Sequence, residues 1–198
     1  TEKTQRPFIS RCLEYNDYIK DEGHFKNILK KRIEEILLMS DKQRAEQLLD
    51  YVEQIVPKCI SNNGETLNLH SGLTFHNNNN YYYWDGSSSN SIQTTPELAH
   101  HTLYYKQAEK YSKPTELIKY FIHIMYLRLI KDVLDNRAMN EHIAPAINKL
   151  KSMVKDIGNL IDFNDDDFWK KNNIVVVNLD SVNQDSKKMI PLLLCNHL

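Results

Sequence analysis

Asp162, Asn164 and Asp166 in "DFNDDDFWKKNN" stand at positions 1, 3 and 5 of a twelve-residue loop, the spacing with which oxygen side chains begin to wrap a calcium ion. The sixth position is Asp167, where the sharp turn needs glycine, and the twelfth is Asn173, where a bidentate glutamate should close the site. The segment therefore reads as a solvated helix start with acids against the dipole, and no metal is expected.

The eight histidines form no HxxxH or HExxH pair. His100 and His101 are adjacent, so on a helix they point about 100° apart and are badly placed to share an ion. His123 follows Lys119 by four residues and Glu116 by seven, on the polar stripe of an otherwise apolar helix, where a partly buried imidazole could titrate near neutral pH. No G-x-S-x-G elbow offers a nucleophile, and no GxGxxG or GxxxxGK[ST] run offers a phosphate cradle. Cys12 and Cys195 lie in apolar company, which favours protonated, buried thiols. These readings lean away from an enzyme and imply no cofactor.

Aromatic residues are the remaining candidates. "YYYW" supplies Tyr81, Tyr82, Tyr83 and Trp84, and "HHTLYYKQAEKY" brings Tyr104, Tyr105 and Tyr111 among lysines. Such clusters can stack on single-stranded nucleic acid, but phosphate must be neutralised, and "YYYW" has no basic field around it. A protein or peptide partner is the better expectation, with Tyr81, Tyr82, Tyr83, Trp84, Tyr104, Phe121 and Met125 as candidate contacts. Of the four consecutive rings, one or two should fold back onto the helices as an anchor, because all four in water would make an adhesive patch.

The elements that must position these residues are mostly helices. Phe8, Ile9, Cys12, Leu13 and Ile19 suggest a first helix opened near Pro7 and ended by Gly23. Phe25, Ile28, Leu29, Ile33, Ile36 and Leu37 recur at i, i+3, i+4, i+7 in a second. Ser40 and Gln43 stand in capping-box register for a third, whose stripe is Ala45, Leu48, Leu49, Val52, Ile55 and Val56, stopped by Pro57.

Residues 58–95 then hold only three charged side chains and most of the asparagine and serine runs, which reads as a low-complexity insertion. A hairpin across "LNLHSGLTFH", turning at Ser71 and Gly72, is one expectation there. Beyond it, Thr95 and Pro96 open a helix to about Tyr111. Next comes the most apolar element, Thr115 to Asp135, and another helix runs from about Pro145 towards Gly158. At the end, Asp165 could cap a short turn, and strands are expected over residues 173–180 and 189–195.

The whole predicts a mainly α fold: one domain over residues 1–198, a bundle of about six helices, a polar mid-chain insertion and a small C-terminal β element. Its 198 residues can bury a core unaided, and a net charge of −1 supplies no general attraction to nucleic acid or anionic membrane. The longest apolar run, Tyr120 to Leu127, is too short to span a bilayer. Three scattered cysteines point to a reducing, intracellular setting, although a secreted protein with one disulfide and a free thiol fits the same spacing.

The leading functional expectation is a non-enzymatic interaction or scaffold module that uses a groove between amphipathic helices, or the surface of the apolar helix at 117–134. A secreted four-helix signalling ligand is the alternative. A helical enzyme with a site around His100, Tyr104 and His123 is the second alternative.

Overall fold

The computed structural model describes residues 2–84, 92–93, 96–136 and 140–158, with side chains described for residues 7–84, 97–136 and 143–152. The described chain is mainly helical, with one small sheet. It belongs to two compact units, residues 1–147 and 148–198; of the second, residues 148–158 are described and are helical.

Helix α1, Glu2–Tyr18, turns Phe8, Cys12 and Tyr15 inward at i, i+4, i+7, and Ile19, just past its end, is buried on the same side. Pro7 sits inside this helix and not at its start, so one backbone bond is missing within the second turn. Ile9 and Leu13, expected on the apolar side, lie off the buried stripe, and Leu13 is 53% exposed.

The break that follows belongs to Asp21, not to Gly23. Asp21 caps α2, Glu22–Leu37, by accepting the His24 N–H, and Gly23 lies within its first turn. All six residues of the α2 stripe are buried. Helix α3, Lys42–Glu53, is capped by Asp41, whose carboxylate accepts the Arg44 N–H at 3.1 Å. The expected Ser40 cap is off by one residue: Asp41, not Ser40, is the cap and accepts from the third helical amide, Arg44.

The chain then forms strands β1, Leu73–His76, β2, Tyr81–Trp84, and β3, Ile92–Gln93, in the antiparallel order β1-β2-β3. The hairpin is displaced from the expected place. Its turn is the asparagine run 77–80, and Ser71–Gly72 belong to the loop before β1. Asn80 adopts φ 54°, and its N–H donates to the His76 carbonyl at 2.8 Å. Asparagine tolerates this left-handed conformation better than other side chains, which makes the run a serviceable turn.

Two short helices follow, α4, Pro96–His101, and α5, Leu103–Glu109. One helix was expected here, but Thr102 divides it: its hydroxyl donates to the Ala99 carbonyl and accepts the Tyr105 N–H, capping α5. Helix α6, Leu117–Leu134, buries ten side chains, among them Ile122, Ile124, Met125, Leu127 and Ile130. Helix α7, Asn140–Gly158, begins five residues before Pro145, the expected start. The expected Thr95 cap, the run 87–91, the Asp162–Asn173 segment and both C-terminal strands lie outside the described residues.

Two helices organise the first unit: α6 packs against α1, α2 and α3, while α2 also meets α4 and α5. Phe25 of α2 stacks on Tyr111 at 4.3 Å, and Tyr51 of α3 lies 5.9 Å from Tyr126 of α6. At the α1–α6 seam, Asp132 is fully enclosed. Arg11 donates to its Oδ2 through Nε at 3.1 Å and Nη2 at 2.9 Å. Arg128 Nε approaches its Oδ1 at 2.9 Å as a charge pair, without the alignment of a hydrogen bond.

Asp132→Ala would leave both guanidinium groups without their carboxylate. Breaking a buried pair from one side costs about 3–5 kcal/mol, and the partial exposure of Arg11 places this case near the lower end. Urea unfolding is therefore expected to show a loss of about 3 kcal/mol. A loss below about 1 kcal/mol, the scale of an exposed pair, would show that the seam does not depend on it.

Candidate functional site

The hairpin separates the aromatic run by the two-residue period of a strand. Leu73 pairs with Trp84 and Phe75 with Tyr82, so these four share one face; Thr74, His76, Tyr81 and Tyr83 share the other. The first face turns inward. Tyr82 is 2% exposed and meets the Phe75 ring edge-on at 4.8 Å, while Trp84 stacks on His101 of α4 at 5.1 Å.

Trp84 also covers the loop before β1. Gly72 has φ +79°, and a Cβ built there would lie 2.7 Å from the indole Nε1. The position thus needs glycine for its backbone and again for the tryptophan above it.

On the outward face His76 lies against Tyr81, with ring centroids 5.4 Å apart and nearly parallel, and 6.5 Å from Tyr83 on the diagonal. All three are half-buried. No Asp, Glu, Lys or Arg occurs from Thr66 to Trp84, so the face is neutral.

The other expected contacts lie elsewhere. Tyr104 is fully buried; its hydroxyl donates to Glu53 Oε1 at 2.8 Å, and His70 meets its ring at 5.3 Å. Burial and the Glu53 carboxylate push the Tyr104 phenol well above its ordinary range, so it stays a donor. Met125 is buried in α6, and Phe121, one turn earlier, is half-buried. Tyr82, Tyr104 and Met125 thus fill the interior, and the outward-facing aromatic group is Tyr81 and Tyr83 with His76, a residue the spacing did not single out. Strict alternation from Thr74 to His76 and from Tyr81 to Tyr83 was the available signal.

Each of the six histidines with a described side chain touches an aromatic ring: His24 on Tyr18, His70 on Tyr104, His76 on Tyr81, His100 on Tyr105, His101 on Trp84 and His123 on Tyr111. The Tyr111 hydroxyl lies 3.2 Å from His123 Nδ1. His100, Tyr104 and His123 therefore engage different neighbours and do not form a triad. Among the described residues no three His, Cys, Asp or Glu side chains converge on a metal position. Cys12 and Cys59 are free and buried, and burial pushes the Cys12 thiol up to about 12, which leaves it unreactive at neutral pH.

A second constellation escaped the sequence reading. In α3, Glu46, Asp50 and Glu53 recur at i, i+4, i+7, a single stripe plain in "EQLLDYVE". An open cleft of about 410 Å³ runs along this helix, lined by Asp41, Gln43, Arg44, Glu46, Gln47 and Asp50. Asp50 is exposed at the surface, where partial desolvation and then the charge of Glu53 make it ionise less readily than an ordinary aspartate, with His70 acting in the opposite direction and Glu46 adding a smaller push.

Two glycine substitutions isolate the Trp84 contact. Gly64 has a similar φ of +82° but open space around it, so Gly64→Ala should lose only the left-handed penalty of about 1 kcal/mol. Gly72→Ala should lose at least about 1 kcal/mol more, because the indole must move, and should shift Trp84 fluorescence in a Trp169→Phe background. Equal losses in urea unfolding would mean that the tryptophan does not depend on the gap.

No protein-family model, curated protein or solved structure matches this chain.

Proposed function

We propose that this chain is a helical-bundle interaction module that presents the outward face of its hairpin, His76, Tyr81 and Tyr83, to another protein. The observation that carries this reading is the arrangement of the rings. Tyr82 and Trp84 tie the ribbon to the helices, while Tyr81 and Tyr83 stay on the opposite face beside a histidine.

Tyrosine suits such a role because it brings large contact area, a hydroxyl and only two rotatable side-chain bonds. Protein interfaces are enriched in aromatics and depleted of charge at their centres, and residues 66–84 have that composition. A nucleic-acid ligand would need cations beside the rings, which this face does not supply. Free, buried Cys12 and Cys59 support an intracellular setting for the interaction. No described helix is long and apolar enough to cross a membrane.

Tyr81→Ser with Tyr83→Ser tests the reading. The double variant should stay folded, losing about 1 kcal/mol for the cross-strand ring contact, and should no longer retain the partner that the intact chain captures reproducibly from its native extract. Retention of that partner at equal yield, compared by quantitative mass spectrometry, would overturn the proposal.

A further inference from the structure

The loop that leaves α3 holds the chain's only Asn-Gly step, Asn63–Gly64, at the tip of a small ribbon. Ile60 pairs with Thr66, and the Leu67 N–H donates to the Cys59 carbonyl at 2.8 Å. Within that frame the Ser61 N–H donates to the Glu65 carbonyl at 2.8 Å, and the Gly64 N–H donates to the Ser61 carbonyl at 3.0 Å. Gly64, at φ +82°, supplies the left-handed residue that completes a three-residue hairpin loop. The Ser61 hydroxyl accepts the Glu65 N–H at 3.1 Å, so the serine holds both sides of the turn.

Two features leave this step open to chemistry. Asn63 is exposed, and among the described residues no hydrogen bond engages its carboxamide. Gly64 has no side chain to shield its backbone nitrogen, and nothing lies within 4 Å of the place where a Cβ would stand. Every other asparagine of the chain is followed by a residue with a β-carbon, which crowds the same approach.

We propose that Asn63 is the site of a spontaneous, one-way modification of this chain, conversion to isoaspartate and aspartate, and that the turn sets its rate. The Gly64 backbone nitrogen gives up its proton to a water-derived base and attacks Asn63 Cγ. The N–Cγ bond forms, the Cγ–Nδ2 bond breaks, and the side-chain nitrogen takes a proton from water and leaves as ammonia. Water then opens the cyclic imide. Hydrolysis at the backbone carbonyl carbon leaves the chain running through Cγ as isoaspartate, and hydrolysis at Cγ gives aspartate in an ordinary backbone. Nucleophile and electrophile both belong to the chain, water is the only co-reactant, and nothing is oxidised or reduced.

The folded turn opposes the first step. A nucleophile must come within about 3–3.5 Å of its target along a reactive line. The Gly64 N–H is instead held on the Ser61 carbonyl, so rotation about the Asn63 Cα–C bond must first break that hydrogen bond. Attack is therefore confined to molecules in which the turn has opened, and its rate follows the opening equilibrium. Isoaspartate adds a methylene to the backbone inside a tight loop and a carboxylate two residues from Glu65. The Ser61–Gly64 closure is then lost, and the connection between α3 and β1 is loosened irreversibly.

The test incubates the full chain at neutral pH, folded and in urea, and then digests it with a protease that cuts after glutamate. Fragment 54–65 holds Asn62 and Asn63 as its only asparagines, and mass spectrometry reads it against synthetic standards with aspartate or isoaspartate at position 63. Conversion is expected at Asn63, with isoaspartate the larger product, and at least about tenfold slower in the folded chain than in the unfolded one. Ser61→Ala, which removes one acceptor from the turn, should speed the folded chain a few-fold and leave the unfolded rate unchanged. Gly64→Ala should slow the unfolded chain several-fold. An unfolded chain that converts no faster at Asn63 than at Asn62, or that yields aspartate without isoaspartate, would overturn the site. Equal rates in the folded and unfolded chains, or no acceleration by Ser61→Ala, would overturn the control by the turn.

Discussion

The enclosure of α6 is the constraint on which the rest of the first unit depends. Apolar residues occupy nearly every side of Leu117–Leu134, so one neighbouring helix cannot cover it. Helices α1, α2 and α3 supply the cover, and their own stripes of Phe8/Cys12/Tyr15, Phe25/Leu29/Ile33 and Leu48/Leu49/Val52 are what the cover requires. Asp132 interrupts the apolar surface of α6, and α1 answers with Arg11 while α6 itself supplies Arg128 one turn earlier. Leu117, 80% exposed, and Ile118, both in the first turn of α6, remain outside this cover.

That enclosure changes where recognition can take place. An apolar perimeter as complete as that of α6 invites the idea of a partner laid along it, yet Met125 and its neighbours are already covered by the chain's own helices. Among the described residues, two surfaces are chemically unlike α6: a ring-bearing face on the hairpin and a polar cleft on α3.

The helices were legible in the sequence because their signals are local. Six apolar residues at helical spacing placed the whole buried face of α2, and the four core positions Ala45, Leu48, Leu49 and Val52 did the same for α3. Boundaries were less legible, since an Asp and a Ser one residue apart are both good caps, and a proline five residues into a helix reads equally well as its first residue. Thr102 shows the same ambiguity in mid-chain, where a hydroxyl can cap a new helix as readily as it decorates an old one. The hairpin was misplaced because strand pairing is non-local: Leu67 and Leu69 alternate as well as Leu73 and Phe75, and only the partner β2 decides between them. The aromatic run was visible as a group, but its division into inward Tyr82 and Trp84 and outward Tyr81 and Tyr83 needed the strand. Carboxylates on a helix surface are common, so the α3 stripe carries no distinctive signal in the sequence; the charges of Glu53 and His70 on Asp50 and the enclosure of the Tyr82 hydroxyl belong to the fold.

Helix α6 is the covered spine of the first unit. Hydrogen exchange of the free chain measures this directly. The amides of Tyr120–Val133 should open only with global unfolding, their exchange free energies lying within about 1 kcal/mol of the stability from urea unfolding. Exchange over those residues that is faster than in α1 or α3 would show a helix accessible in the native state and would contradict the account.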